Sequence, residues 1–415
     1  MVDITSMARE AKKAAVTLAK ASTQQKNQTL TTMARLLLER KDELIEANED
    51  DKRKSTEQGL PRNIVNRLVF DEKKITSRQK ALLDIVELLD PIGSVDEFVR
   101  RPSGLEVKKV RWPLGLIGMI YESRPHVTVN GGALCLKSGN AVILRGGSET
   151  MTTNIAIGKL WREALGQAGL PLECIQVVPS PDRAIVDAML SMPEYFDVII
   201  PRGGKSLIEA VSQRSKVPVI KHYHGICHQF IDSYAEPDMA IRIAINSKTL
   251  MPEVCNALET ILIHKDIAPL LLPRLTEALG KAGVEVRGCA QTKGLVPWVN
   301  EATEEDWTTE YLEMIVSIRV VSSIDEAIEH INNYGSHHTD TITSNNFANI
   351  RRFEQEVDSG VVLVNASTMF NDGGELGMGA EIGISTDKLH ARGPVGMRDL
   401  TTYKYVVIGE GHIMA

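Results

Sequence analysis

Cys255 stands in the stretch Met251-Pro252-Glu253-Val254-Cys255-Asn256-Ala257, between a helix expected near 238–250 and a strand expected over 260–263. A thiol in such a short connection is reachable and close to backbone N–H groups, the setting of a nucleophile for acyl transfer. A packed, inert thiol is the competing reading, and it suits Cys135 with its apolar neighbours Leu134 and Leu136. Gly203-Gly204-Lys205-Ser206 follows a buried strand expected over 197–200, and a helix is expected to start near Lys205. Free N–H groups at such a start bind pyrophosphate. The pattern is not a Walker A, because Ile199 occupies the place of its first glycine, and an ordinary strand-to-helix turn competes. The run from Gly377 to Gly383 imitates a dinucleotide fingerprint but lies far from its nearest strand, so a loop is expected.

Histidines invite a metal reading. His222, His224 and His228 would share a face if their segment is extended, and His337-His338-Thr339-Asp340 would complete a site. The spacing matches no standard zinc pattern, and neither HExxH nor CxxC occurs, so no metal is expected.

The elements that must position these groups are legible from periodicity. Leu30, Met33, Ala34, Leu37 and Leu38 fall on one helical face, as do Met7, Ala11, Ala14, Ala15 and Leu18. Between 95 and 112 two alternating polar runs flank Pro102-Ser103-Gly104, which predicts a hairpin with one solvated face. Continuous apolar runs at 115–121, 141–144, 175–178, 197–200 and 217–220 alternate with helix-length segments. A second series follows at 260–263, 284–287, 316–321, 339–343 and 361–364, and an isolated strand closes the chain at 402–408. Such alternation predicts an α/β protein with two doubly wound parallel-sheet domains. The hairpin and tail strand belong to neither core.

The 415 residues are long enough for two or three domains with a sizeable core. Forty-seven Lys and Arg against 54 Asp and Glu leave a net charge of −7 without a basic stripe, which argues against nucleic acid as a partner. No apolar run is long enough to span a bilayer, the first residues carry no signal-like apolar stretch, and five cysteines form no disulfide framework. A soluble cytoplasmic enzyme is expected.

Together the pieces resemble the aldehyde dehydrogenase superfamily. The resemblance is carried by residues 321–340, with Val321, Ala327, His330, Tyr334, Gly335, His337, His338, Thr339 and Asp340. It extends to 112–118, Tyr121-Glu122-Ser123-Arg124-Pro125, Val254-Cys255-Asn256-Ala257 and 389–394, in order along the whole chain. It implies a cofactor domain over 1–93 and 113–240 and a catalytic domain over 241–365 carrying Cys255. A β element over 94–112 and 386–415 would build a homo-oligomer, a dimer or tetramer.

The implied activity is NADPH-dependent reduction of the acyl phosphate L-glutamyl 5-phosphate to L-glutamate 5-semialdehyde and phosphate, the second step of proline biosynthesis. Glutamate 5-kinase is then an expected functional partner. The resemblance makes Cys255 the nucleophile and Ser123 a candidate oxyanion donor. Gly203, Gly204, Lys205 and Ser206 would hold pyrophosphate, with Arg145 and Glu310 on the two riboses. Arg124, His222 and His224 would meet the phosphate, and Asn365, Ser367, His337 and His338 the rest of the substrate. One departure bears on mechanism. Relatives keep a water-activating glutamate in a Glu-Leu-Gly-Gly segment, where this chain has His222-Tyr223-His224-Gly225. Hydrolysis of an acyl-enzyme should therefore be weak.

Overall fold

Strand Leu116–Tyr121 is apolar at every position but its one glycine, and all six residues are buried, because parallel neighbours flank it and helices cover both faces. It sits in a four-stranded parallel sheet with the spatial order Ile175–Val177, Ala141–Arg145, Leu116–Tyr121, Val198–Arg202. The order reverses between the last two strands, and in open α/β sheets the crevice beyond the strand C-termini at such a reversal binds ligands. The computed structural model describes residues 2–221 and 224–414, the side chain of Asn63 excepted. It divides into two units, the first formed by 1–221, 377–383 and 395–415, the second by 222–376 and 384–394.

In the first unit the helices expected from periodicity span Ile4–Leu18 and Thr23–Glu39. Ser22 and Gln25 form a capping box at the start of the second, satisfying two donors that the first turn leaves open. Leu30, Met33, Ala34 and Leu37 are buried, while Leu38 is exposed at the margin of the stripe. The hairpin Val95–Arg100 with Glu106–Pro113 is present and takes a third antiparallel strand, Thr401–Ile408, from the chain terminus. Phe98, Val99, Tyr403, Tyr405 and Val407 stay exposed on this small sheet. The expected strand at 217–220 is reduced to one isolated bridge, Val219 with Ile199.

The second unit is built on seven parallel strands in the order Asn300–Glu301, Glu285–Gly288, Ile315–Val321, Leu258–His264, Cys227–Ile231, Thr339–Thr343, Val361–Val364. Two findings correct the sequence reading. Strand Cys227–Ile231 was not among the expected strands. Its pairing with Leu258–His264 and Thr339–Thr343 also moves the boundary between the units from residue 240 to 221. The reason is local: Cys227, His228 and Gln229 break the apolar pattern, yet they are fully buried.

Candidate active site

In the first unit, the crevice at the strand reversal is lined by the turns after Tyr121 and Arg202. Helix Lys205–Arg214 starts at Gly204 with no side-chain cap, so its first N–H groups face outward. The Gly204 N–H donates to the Glu122 carboxylate at 3.0 Å. A β-carbon on Gly203 would come within 2.5 Å of that carboxylate, so a larger residue there would have to push the Glu122 side chain aside. Lys205 and Ser206 are exposed, and Lys205 lies 3.9 Å from Glu209 one helical turn on. A glycine-rich, uncapped helix start after a buried strand fits the phosphates of a dinucleotide.

Arg145, expected at a cofactor ribose, is buried. Its guanidinium donates to the carbonyls of Gly146 at 3.0 Å and Pro181 at 2.8 Å, and burial lowers its pKa. It therefore fixes the two loops beyond strand Ala141–Arg145. Ser123 has φ +46, strained for a residue with a side chain, and both its N–H and its hydroxyl donate to one oxygen of Glu149, at 2.7 and 2.8 Å. Its hydroxyl proton is thus committed to a carboxylate.

Arg124 belongs to a cluster that sequence reading missed. Lys74 and Arg78 lie one turn apart on helix Glu72–Glu87, and Arg202 ends strand Val198–Arg202. Burial, followed by the charges of Arg78, Arg124, Lys74 and Arg202, drives His126 down to about 3, so His126 is neutral at physiological pH. The four cations therefore gather around His126. No sequence signal announced it.

In the second unit, Cys255 is half-buried on the connection between helix Pro237–Thr249 and strand Leu258–His264. Its carbonyl accepts the Cys227 thiol at 3.2 Å. Gly225 lies against the same carbonyl, and its N–H donates to Glu310 at 2.7 Å. Asn256 donates to the carbonyls of Asn371 at 3.1 Å and Met369 at 3.4 Å. Cys255, Gly225, His224 and Glu310 therefore share one locality, while His222 lies outside the described residues.

The His-rich element resolves into two kinds of residue. His338, just before strand Thr339–Thr343, and Asp340 within it are buried: His338 Nδ1 lies 2.7 Å from the Thr339 hydroxyl and 3.8 Å from the Cys227 thiol. One Asp340 oxygen accepts the His228 N–H at 2.9 Å and meets His228 Nδ1 at 2.8 Å; the other accepts the Ser359 hydroxyl. These bonds tie neighbouring strands together. His337, at φ +59 and half exposed, pairs with the Asp358 carbonyl at 2.6 Å, and the Asp358 carboxylate meets Lys388 and Arg392. Among the described residues, no three His, Cys, Asp or Glu side chains converge as metal ligands would.

Asn365 and Ser367 follow strand Val361–Val364 as expected, but their side chains are engaged. Asn365 exchanges two 2.9 Å bonds with the Ser344 backbone, and buried Ser367 lies 2.9 Å from the Ser247 hydroxyl. Both serve to shape the turn.

Comparison with known proteins places these features. Residues 1–313 match the model of the aldehyde dehydrogenase family. The γ-glutamyl phosphate reductase of Caldanaerobacter subterraneus subsp. tengcongensis is 49% identical over 406 residues, covering 98% of both chains. The crystal structure of γ-glutamyl phosphate reductase from Thermotoga maritima superimposes with a TM-score of 0.98 at 45% identity, over 100% of both chains. At 14% identity, a Rhodopseudomonas palustris propionaldehyde dehydrogenase solved with CoA and an acylated cysteine shares the fold, with a TM-score of 0.70 over 98% of this chain and 97% of that one.

Proposed function

Because the chain belongs to the aldehyde dehydrogenase family of nicotinamide-dependent oxidoreductases, we propose that it reduces L-glutamyl 5-phosphate with NADPH to L-glutamate 5-semialdehyde and phosphate. This would be the second step of proline synthesis from glutamate. The observation that carries the reading is the contact of Gly225 with the Cys255 carbonyl. It brings to the nucleophile the glycine that closes the segment in which relatives keep a water-activating glutamate, and in sequence this segment carries histidines and no carboxylate. An acyl-enzyme protected from water suits exchange with phosphate.

In this reading the Cys255 thiolate adds to the acyl carbon, and the negative charge on the carbonyl oxygen is met by the Cys255 N–H. The carbon–oxygen bond to phosphate breaks, leaving a thioester and inorganic phosphate, for whose charge His224 of the second unit, with His222 beside it in sequence, is the candidate, and Arg124 of the first unit is a further candidate cation. The Gly203-Gly204-Lys205-Ser206 helix start would hold the phosphates of the cofactor, which would supply the hydride that reduces the thioester. Glu310 would hold its nicotinamide ribose, and Arg145 would steady the adenosine side by fixing the loops there. The thiohemiacetal then returns its proton and releases Cys255 and the aldehyde. His337 is kept for the amino-acid head. Ser123, His338, Asn365 and Ser367 are assigned to shaping the site.

The three-stranded antiparallel sheet with its exposed Phe98, Tyr403 and Tyr405 supports a homo-oligomer, because unpaired strand edges rarely stay bare. A labile acyl phosphate favours functional association with glutamate 5-kinase, and a cytoplasmic setting accords with five free cysteines.

The reverse reaction tests this. Incubate pyrroline-5-carboxylate with NADP⁺, with and without phosphate, and follow NADPH absorbance for wild type and Cys255→Ala. Phosphate-dependent NADPH formation that the substitution abolishes is expected. Equal rates without phosphate would mean water accepts the acyl group, and activity surviving in Cys255→Ala would remove the thiol mechanism.

A further inference from the structure

Lys248 and Glu259 form an ion pair at 2.7 Å with neither side chain exposed. Lys248 lies in the last turn of helix Pro237–Thr249, and Glu259 is the second residue of strand Leu258–His264. Residues 250–257 between those elements carry Cys255, so the pair joins the two ends of the nucleophile's loop. Glu259 has a second contact. One oxygen accepts the Leu312 N–H at 3.4 Å, and Leu312 stands at φ +55, a conformation that a leucine keeps only when its surroundings hold it. Leu312 follows Glu310 by two residues, and the intervening Tyr311 ring lies 5.9 Å from the Lys248 ammonium. Its hydroxyl donates to Asp306 at 2.6 Å.

A buried pair is a costly way to fill space. Removing two charges from water costs more than their attraction commonly returns, and apolar residues of similar size are often as stable. Burial accordingly pushes the Glu259 carboxyl up and the Lys248 ammonium down. What the pair supplies that apolar packing lacks is direction, since each charge must face the other.

We infer that Lys248 and Glu259 are positioning residues: the pair clasps the base of the Cys255 loop and, through the Leu312 N–H, sets the turn that presents Glu310. The inference rests on the reading of Cys255 as the nucleophile. Because neither side chain reaches the surface, its loss should alter placement without removing a reacting group.

The test is the double substitution Lys248→Met with Glu259→Leu in the full chain. Three quantities are read: the melting temperature, kcat with the KM for NADP⁺ in the phosphate-dependent oxidation, and the pH profile of Cys255 alkylation by iodoacetamide. Expected are a melting temperature at or above wild type, kcat reduced tenfold or more, KM for NADP⁺ raised severalfold and an altered alkylation profile. Wild-type kcat, KM and alkylation in a folded variant would overturn the inference. If the double variant does not fold, Glu259→Gln carries the test. It keeps the volume and the acceptor for Leu312, so kcat should fall while KM for NADP⁺ stays near wild type; an unchanged kcat overturns the clasp. Cys255→Ala separates the two levels. Full activity there removes the thiol reading, whereas an inactive Cys255→Ala beside a fully active clasp variant removes the clasp alone.

Discussion

The α-carbon of Gly225 is pressed against the carbonyl of Cys255, so that a β-carbon on Gly225 would stand 1.7 Å from that oxygen. Backbone meets backbone here, and neither can swing aside as a side chain would. Gly225→Ala should displace the Cys255 loop. A fall in kcat of tenfold or more is expected, with Cys255 alkylation changed in parallel. Wild-type kinetics in a folded Gly225→Ala would show that the contact places nothing.

Asp306 predicts a pH dependence of stability. Burial opposes its ionisation, but hydrogen bonds from the Thr303 backbone, Tyr311, Arg287 and the Thr303 hydroxyl outweigh it and bring the carboxyl from 3.8 to about 2. A carboxylate whose pKa is lowered on folding stabilises above its unfolded value and loses that contribution as pH falls through the folded one. About 2 kcal/mol should therefore vanish between roughly pH 4 and pH 2. Urea unfolding of wild type and Asp306→Asn across that range checks it: the difference between them should be largest above pH 4 and shrink towards pH 2.

Asp340 is expected to matter for stability. With Asp340→Ala, buried His228 loses its partner and the Ser359 hydroxyl its acceptor, at a cost of about 3 kcal/mol. Denaturant titration should show that loss, while kcat per folded molecule stays within about threefold of wild type. A large drop in kcat at unchanged stability would instead assign the element to chemistry.

The cations gathered around His126 predict anion binding in the first unit. Inorganic phosphate should raise the melting temperature of wild type, and raise it less in Lys74→Gln and Arg78→Gln. Equal phosphate shifts in all three proteins would mean that these cations serve no anion.

The strands that were easy to read, such as Leu116–Tyr121 and Ala141–Arg145, are buried on both faces and therefore apolar throughout. Cys227–Ile231 is just as buried but was hidden. Its polar members find partners outside the strand: Asp340 for His228 Nδ1, and Thr343 and the Ala240 carbonyl for the Gln229 amide N–H groups. Cys255 and Gly203-Gly204 stood out because loop position and local composition mark them. Lys74, Arg78, Lys248 and Glu259 did not, because a charge on a helix or strand reads as a solvated face until the fold supplies its neighbours. Arg145 and Ser123 were legible as positions, but the carbonyls and the carboxylate that occupy their donors come from other segments.

The three-stranded sheet of the first unit has a consequence for synthesis. Arg111, in its central strand, bonds to Thr401, 290 residues later. During translation the hairpin therefore leaves the ribosome with one edge bare, and the whole second unit must be made before the missing strand exists. That strand, Thr401–Ile408, comes after the last residue of the second unit, Pro394. A ribosome that stops before Thr401 would release a chain with both sheet cores made and an open β edge, ready to pair with another unfinished copy.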